Sequence, residues 1–209
     1  GARTGLITTE GFRDVLELRT LRMPRLYDLG WEKPEPLVPR YLRRAVRERI
    51  DAGGNVEQAM DRRQVGEVVE ELLEAGVETI AVCLINSFAY PDHERLIGEV
   101  IEQKAPDFPY CLSVNVLPEI KEYERTSTTV INAYLLPVVS RYLNSLISEL
   151  QSSNVTAPLL LMQSNGGLTT AQRAIELPCY IIESGPAGGV VGAHALATKL
   201  ELGDVVTFD

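Results

Sequence analysis

The 209-residue sequence is 45% hydrophobic and 23% charged, enough for a real core and one or two domains. Its net charge of −9 excludes the basic face of a nucleic-acid binder, and no apolar run approaches the roughly 18 residues of a membrane span. Cys83, Cys111 and Cys179 lie in separate apolar runs without a C-x-x-C pair, which excludes a zinc knuckle or disulfide framework and predicts buried thiols in a reducing compartment.

The N-terminus, GARTGLITTEGF, has neither an initiator Met nor an h-region, which predicts a cytoplasmic protein and a fragment. Gly5–Thr8 reads as the end of a strand, with Thr9 as N-cap of a helix over Glu10–Leu18. Leu21–Pro39 carries Pro24, Pro34, Pro36 and Pro39 and is expected to be a crossing segment or loop. The basic run Arg40–Arg49, with Glu48 and Asp51 beside it, reads as a solvated face.

After the Asp51–Asn55 turn, Val65, Val68, Val69, Leu72 and Leu73 form a helical stripe, and Gly76 is a natural C-terminal stop. Glu78–Ile85 predicts a buried strand. Pro91 opens a helix whose inner face is Leu96, Ile97, Val100 and Ile101, and Tyr110–Val116 reads as the next strand. Helix and strand alternating at this spacing predict an α/β fold with right-handed crossovers and mixed, largely parallel sheets.

Glu119–Thr129 opens a long helix, with Ile131, Tyr134, Leu135, Val138, Tyr142, Leu146 and Leu150 as its apolar positions. Thr126 or Ser127 would cap it, and Pro137 should kink or divide it. Pro158–Gln163 predicts a strand followed by the Ser164–Gly167 turn and a short helix near Ala171–Ile175. Cys179–Glu183 reads as a strand, Ser184–Ala193 as a glycine-rich turn, Val190–Leu200 as a helix and Val205–Asp209 as a final strand.

Several stretches could carry chemistry. The glycine-rich turn lacks a Gly-Lys-Ser/Thr, so it is not a Walker loop. Ala187-x-Gly189-x-x-Gly192 with Asp209 about 20 residues on is a loose dinucleotide fingerprint. The competing reading is a helix packed tightly through small residues. Ser164 and Asn165 would project from a strand's C-terminal edge, or simply form an αL turn. Glu122, Glu124 and Arg125 are either a polar site or a solvated helix start. His93, beside Asp92 and Glu94, reads as a surface residue at a helix start. His194 has no partner at metal spacing, and no Ser-His-Asp or Cys-His set is evident.

Seven stretches together resemble the hydantoinase A/5-oxoprolinase family, which includes the acetone carboxylase β subunits. They are Leu6–Leu18, Leu26–Leu29, Pro36–Arg43, Ala81–Glu94, Leu117–Pro137, Leu159–Leu168 and Ser184–Ala193, in the family's order. The resemblance implies an ATPase fold of the actin/hexokinase/Hsp70 type. On that reading, residues 1–40 end the first lobe and form a crossing segment, and 41–122 form an α/β unit. Residues 123–209 hold the long helix, an α/β segment and an inter-lobe connector helix. The chain would begin after one phosphate loop and end at Phe208-Asp209, the start of another, so the glycine-rich stretch becomes connector helix rather than dinucleotide cradle.

The implied chemistry is ATP- and Mg²⁺-dependent activation of a cyclic amide or imide carbonyl for ring opening, or of a ketone for carboxylation. A hydantoinase B-type partner subunit is implied as well. Asp209 would organise Mg²⁺, and with Arg125 would be catalytic. Ser164, Asn165 and Glu124 would face substrate, and Ser184, Gly185, Gly188 and Gly189 would serve as nucleotide or hinge positions. The isolated 209 residues are expected to be inactive, and a scaffold is the non-enzymatic alternative.

Overall fold

A computed structural model describes residues 1–20 and 27–208. The chain divides into two units, residues 1–137 and 138–209. In the first, strand β1 (Thr4–Thr9) is followed by a single turn of helix, α1 (Val15–Leu18). The helix expected from Glu10 is thus cut to its last turn, and Thr9 ends the strand instead of capping a helix. Leu21–Leu26 of the predicted crossing segment lie outside the described residues; 27–39 form no helix or strand.

A 3₁₀ turn at Arg40–Leu42 leads into β2 (Arg43–Val46), and β3 (Arg49–Ile50) pairs antiparallel with β4 (Val56–Gln58). Helix α2 (Arg62–Glu74), capped by Asp61, buries the expected stripe of Val65, Val68, Val69 and Leu72. Gly76 follows its end at φ +72°, a conformation that costs glycine nothing. Then come β5 (Thr79–Cys83), α3 (Asp92–Lys104) and β6 (Tyr110–Leu112). The strand predicted to reach Val116 stops at Leu112, and Ser113–Val116 turn into a short helix, α4.

β2, β1, β5 and β6 form one parallel sheet in that order. Every residue of β1 and β5 is buried, as befits central strands covered on both faces. Leu6, Ile7, Ile80, Ala81 and Val82 make the centre of the core with Leu72 and Ile97, each of the larger aliphatic side chains contributing about 1.5–3 kcal/mol by its burial. The fit is close. A Cβ at Gly5 would sit 3.1 Å from a Leu72 methyl, so α2 lies directly on β1 there.

Helix α5 (Glu122–Ser152) is continuous over 31 residues. It begins before the expected caps, and Thr126 and Thr129 are buried inside it. The Thr129 hydroxyl donates to the Arg125 carbonyl at 2.7 Å. Pro137 does not divide it, although a proline there forgoes one backbone hydrogen bond. The basic run also departs from a purely solvated face: Arg43 is buried, donates to the Val38 carbonyl, and pairs with Glu17 at 3.0 Å.

In the second unit, β7 (Leu160–Met162) and β8 (Leu168–Thr170) form an antiparallel hairpin, followed by α6 (Ala171–Glu176). Cys179–Glu183 is not a strand. Pro178, with its φ preset, opens a 3₁₀ turn over Pro178–Ile181. The predicted glycine-rich turn is likewise helical, since α7 runs over Ser184–Lys199 and contains all of Ser184–Ala193. Val205–Phe208 form no strand and are exposed; no strand lies alongside them among the described residues. Among the described residues no helix is long and apolar enough to cross a membrane.

Candidate functional site

The strand order β2-β1-β5-β6 places a topological switch point between β1 and β5, because the connections leave those two strands in opposite directions. In open parallel sheets the crevice outside the carboxyl ends of such strands is where ligands bind. Buried polar side chains converge there from six segments. Thr9 ends β1, Glu48 follows β2, Ser87 follows β5, His93 and Glu94 occupy the first turn of α3, and Ser113 follows β6. Arg125 reaches in from α5.

Two hydrogen-bonded clusters result. In the first, the Thr9 hydroxyl accepts from the Ile85 N–H at 3.0 Å and therefore donates its own proton to Glu48 Oε1. Glu48 Oε2 lies 2.8 Å from His93 Nδ1. A carboxylate accepts, which assigns the imidazole proton to Nδ1. The Tyr90 ring meets the imidazole edge-on, with centroids 5.4 Å apart. The loop between β5 and α3 is held by Asn86, whose side chain donates to the Ile50 carbonyl at 2.9 Å. Asn86 has φ 55°, a left-handed conformation that asparagine tolerates.

In the second cluster, Glu94 accepts from the Leu84 N–H at 2.8 Å, the Ser113 hydroxyl at 2.7 Å and the Val114 N–H at 3.1 Å. Arg125 Nη1 donates to the hydroxyls of Ser87 and Ser113, so a hydroxyl bridges carboxylate and guanidinium. The Phe88 ring lies 5.7 Å from the guanidinium carbon. Arg125 Nε and Nη2 are buried without a hydrogen-bond partner among the described residues. Burial pushes the Glu94 carboxyl above its ordinary range, against the opposing pull of its N–H and hydroxyl donors. Burial likewise pushes the Cys83 thiol up to about 11, although it touches the Thr126 hydroxyl at 3.2 Å.

The residues singled out from sequence scatter. Arg125 is fully buried in the second cluster, whereas its neighbour Glu124 is exposed and takes no part. Ser164 and Asn165 belong to the hairpin turn of the second unit. Ser164 donates through its N–H and its hydroxyl to the Tyr180 carbonyl and accepts from the Glu183 N–H at 3.1 Å, pinning the turn to the start of α7. Asn165 Oδ1 accepts from the Gly167 N–H. Ser184 begins α7. A Cβ at Gly185 or Gly189 would meet nothing within 4 Å, and one at Gly188 would touch Met162 at an ordinary 3.7 Å. Beyond the first turn of α7 the backbone N–H groups are engaged in the helix's own bonds, so the stretch is not a dinucleotide cradle. Asp209 lies outside the described residues. Among the described residues no three His, Cys, Asp or Glu side chains gather as metal ligands.

Sequence reasoning missed Thr9, Glu48, His93, Glu94, Ser87 and Ser113. His93 in particular is not a surface residue: it is 7% exposed and bonded to a buried carboxylate. The available signal was positional for Thr9 and Ser87, which lie just after the carboxyl ends of predicted strands, whereas Glu48 follows no predicted strand, Ser113 falls inside one, and His93 and Glu94 open the helix after Pro91.

The fold and this crevice define an α/β protein with a parallel sheet and a polar carboxyl edge. Comparison with known proteins narrows the class. A family model described as the hydantoinase/oxoprolinase N-terminal region matches residues 1–105, and one described as hydantoinase/oxoprolinase matches residues 125–209. The chain belongs to the hydantoinase/oxoprolinase family. It is 32% identical over 211 residues to the caprolactamase subunit alpha of Pseudomonas jessenii, covering 100% of this chain and 30% of that one. It is 31% identical over 218 residues to the 5-oxoprolinase of Saccharomyces cerevisiae, covering 92% of this chain and 17% of the relative.

The crystal structure of the ATP-dependent caprolactamase from Pseudomonas jessenii matches with a TM-score of 0.85 and 32% identity, over 96% of this chain and 29% of that one. A nucleotide-free acetone carboxylase, from work on ATP-dependent acetone carboxylation, matches with a TM-score of 0.84 and 26% identity, over 96% of this chain and 30% of that one. The chain thus spans less than a third of the length of each of these relatives.

Proposed function

We propose that this chain is part of a longer subunit of an ATP-dependent amidohydrolase that activates a cyclic amide or imide carbonyl by phosphorylation for ring opening. The observation that supports it most is the agreement with the caprolactamase, in sequence over the whole chain and in fold over 96% of it. Phosphorylating the carbonyl oxygen turns a poor electrophile into one that water attacks, and fixing both reactants in one cleft supplies much of the acceleration.

The fold is of the actin/hexokinase/Hsp70 type on this reading. Mg²⁺ accompanies ATP, with Asp209 in its organisation, and a hydantoinase B-type subunit completes the enzyme in the cytoplasm. The chain spans less than a third of these relatives, and positioning Mg-ATP needs more of the subunit, so the 209 residues alone are expected to be inactive.

The test is ATP hydrolysis by the full-length protein, with its partner subunit, in the presence of caprolactam, 5-oxoproline, hydantoin or acetone. Stimulation by a cyclic amide, with ring-opened product, is expected. A second reading, an ATP-dependent ketone carboxylase subunit, draws on the likeness to acetone carboxylase. It would be chosen if only a ketone with bicarbonate stimulates hydrolysis. ATP binding without stimulation by any substrate would leave the scaffold.

A further inference from the structure

We infer that His93, anchored by Glu48, is a proton acceptor for a small ligand bearing an acidic N–H or O–H, bound in the crevice at the β1/β5 switch point. The geometry carries the assignment. Glu48 is almost completely buried and takes protons from two directions, the Thr9 hydroxyl and His93 Nδ1, so the imidazole is fixed in orientation and tautomer. The Nδ1 proton leaves the lone pair on Nε2.

Nε2 has no hydrogen-bond partner among the described residues, and the His93 side chain keeps 9% of its surface exposed, so the ring is not sealed. Buried polar atoms are as a rule hydrogen-bonded; this imidazole has an anchored inner nitrogen and an outer one left for a ligand. Its location outside the carboxyl ends of adjacent parallel strands is where such sheets receive ligands.

The chemistry balances simply. A ligand N–H or O–H bond breaks, its electron pair stays on the ligand heteroatom, and the proton forms a new bond to Nε2. The resulting imidazolium is stabilised by the Glu48 carboxylate 2.8 Å from its other nitrogen. A cyclic amide, whose N–H is the proton to be removed as its oxygen becomes nucleophilic, fits this requirement. The inference deepens the amidohydrolase reading, and its experiments are chosen so that either can fail alone.

The first experiment needs no turnover. Nitrogen-15 NMR of histidine-labelled protein should show His93 as the Nδ1–H tautomer, with Nε2 shifting when caprolactam or 5-oxoproline is added and no such shift at His194. An Nε2–H tautomer, or an Nε2 indifferent to both ligands at saturation, overturns the inference. The second experiment is His93→Asn, whose amide nitrogen can still donate to Glu48 but which has no outer acceptor. In the full-length enzyme kcat for the amide-stimulated reaction should fall about 10²–10⁴-fold with the melting temperature unchanged.

Exogenous imidazole should restore part of the rate in His93→Ala, a response that a merely structural histidine would not give. Turnover within twofold of the parent in a folded His93→Asn enzyme overturns the inference while leaving the amidohydrolase reading intact. If the parent enzyme acts on no amide, that reading fails, and the NMR experiment decides the role of His93.

Discussion

Glu94 offers a sharp test of what holds the carboxyl edge of the sheet together. Its carboxyl receives three donors, the Leu84 and Val114 N–H groups and the Ser113 hydroxyl. Glu94→Ala strands all three, although Ser113 can turn to Ser87 at 3.3 Å. At about 1–3 kcal/mol per stranded donor, the loss should be about 4 kcal/mol, a large share of the 5–15 kcal/mol of a typical domain. Glu94→Gln keeps an oxygen for Leu84 and Ser113 but sets an amide N–H₂ against the Val114 N–H, and should cost about 1–2 kcal/mol.

The pH dependence separates two accounts. Burial is the leading influence on Glu94 and raises its pKa above the ordinary 4.5. A raised carboxyl contributes stability that is full below the unfolded pKa and is lost as pH rises through the folded pKa. The glutamine variant has no such loss. Urea unfolding of both proteins at pH 5 and pH 8 should therefore show the parent's advantage shrinking at the higher pH. An advantage that grows with pH would mean that Arg125, acting through Ser113, outweighs burial, and would refute the argument.

Other predictions follow from single contacts. Gly76→Ala meets no atom within 4 Å, so its cost is the φ of +72° alone, about 1 kcal/mol, readable as a lowered melting temperature. Ser164→Ala removes the hydroxyl that joins Tyr180 to Glu183 and should cost about 1–2 kcal/mol; unchanged stability would free Ser164 for a role outside the fold. The Cys83 and Cys179 thiols, both pushed up to about 11 by burial, are thiolate to about one part in a thousand at pH 8. Buried Cys83 should not react with a disulfide reagent at that pH until denaturant is added, half-buried Cys179 should react only slowly, and rapid labelling of Cys83 would contradict its burial.

Much of the first unit was legible because its elements are periodic. The Val65–Leu72 stripe and the apolar run through Ile80–Val82 each admit one reading, and alternation of helix with strand implies parallel pairing. Strand order is another matter, since the pairing of β1 with β5 joins residues some 75 positions apart and leaves no local trace. The glycine-rich stretch was misread as a turn because small residues serve a tight turn and a small-residue helix equally well. Arg125 stood out by composition, but its burial depends on Ser87 and Ser113, neither of which is near it in sequence. His93 failed for the same reason: between Asp92 and Glu94 it reads as solvated, and only Glu48, 45 positions earlier, makes its burial affordable.

His93 and Glu94 are consecutive, and consecutive helical residues project about 100° apart. One turn of α3 therefore reaches two clusters, with His93 joined to Glu48 and Thr9 on the β2 and β1 side, and Glu94 joined to Ser113 and Val114 beyond β6. Among the described residues the clusters share no hydrogen bond between their side chains, yet the same backbone sets both, and Thr9 and Glu94 fix the successive N–H groups of Ile85 and Leu84. The position of the imidazole is thus determined in part by the bonds of a carboxyl it does not touch. Glu94→Gln should consequently shift the His93 nitrogen resonances while leaving the fold intact. If they stay where they are, the two clusters are independent, and the anchoring of His93 rests on Glu48 alone.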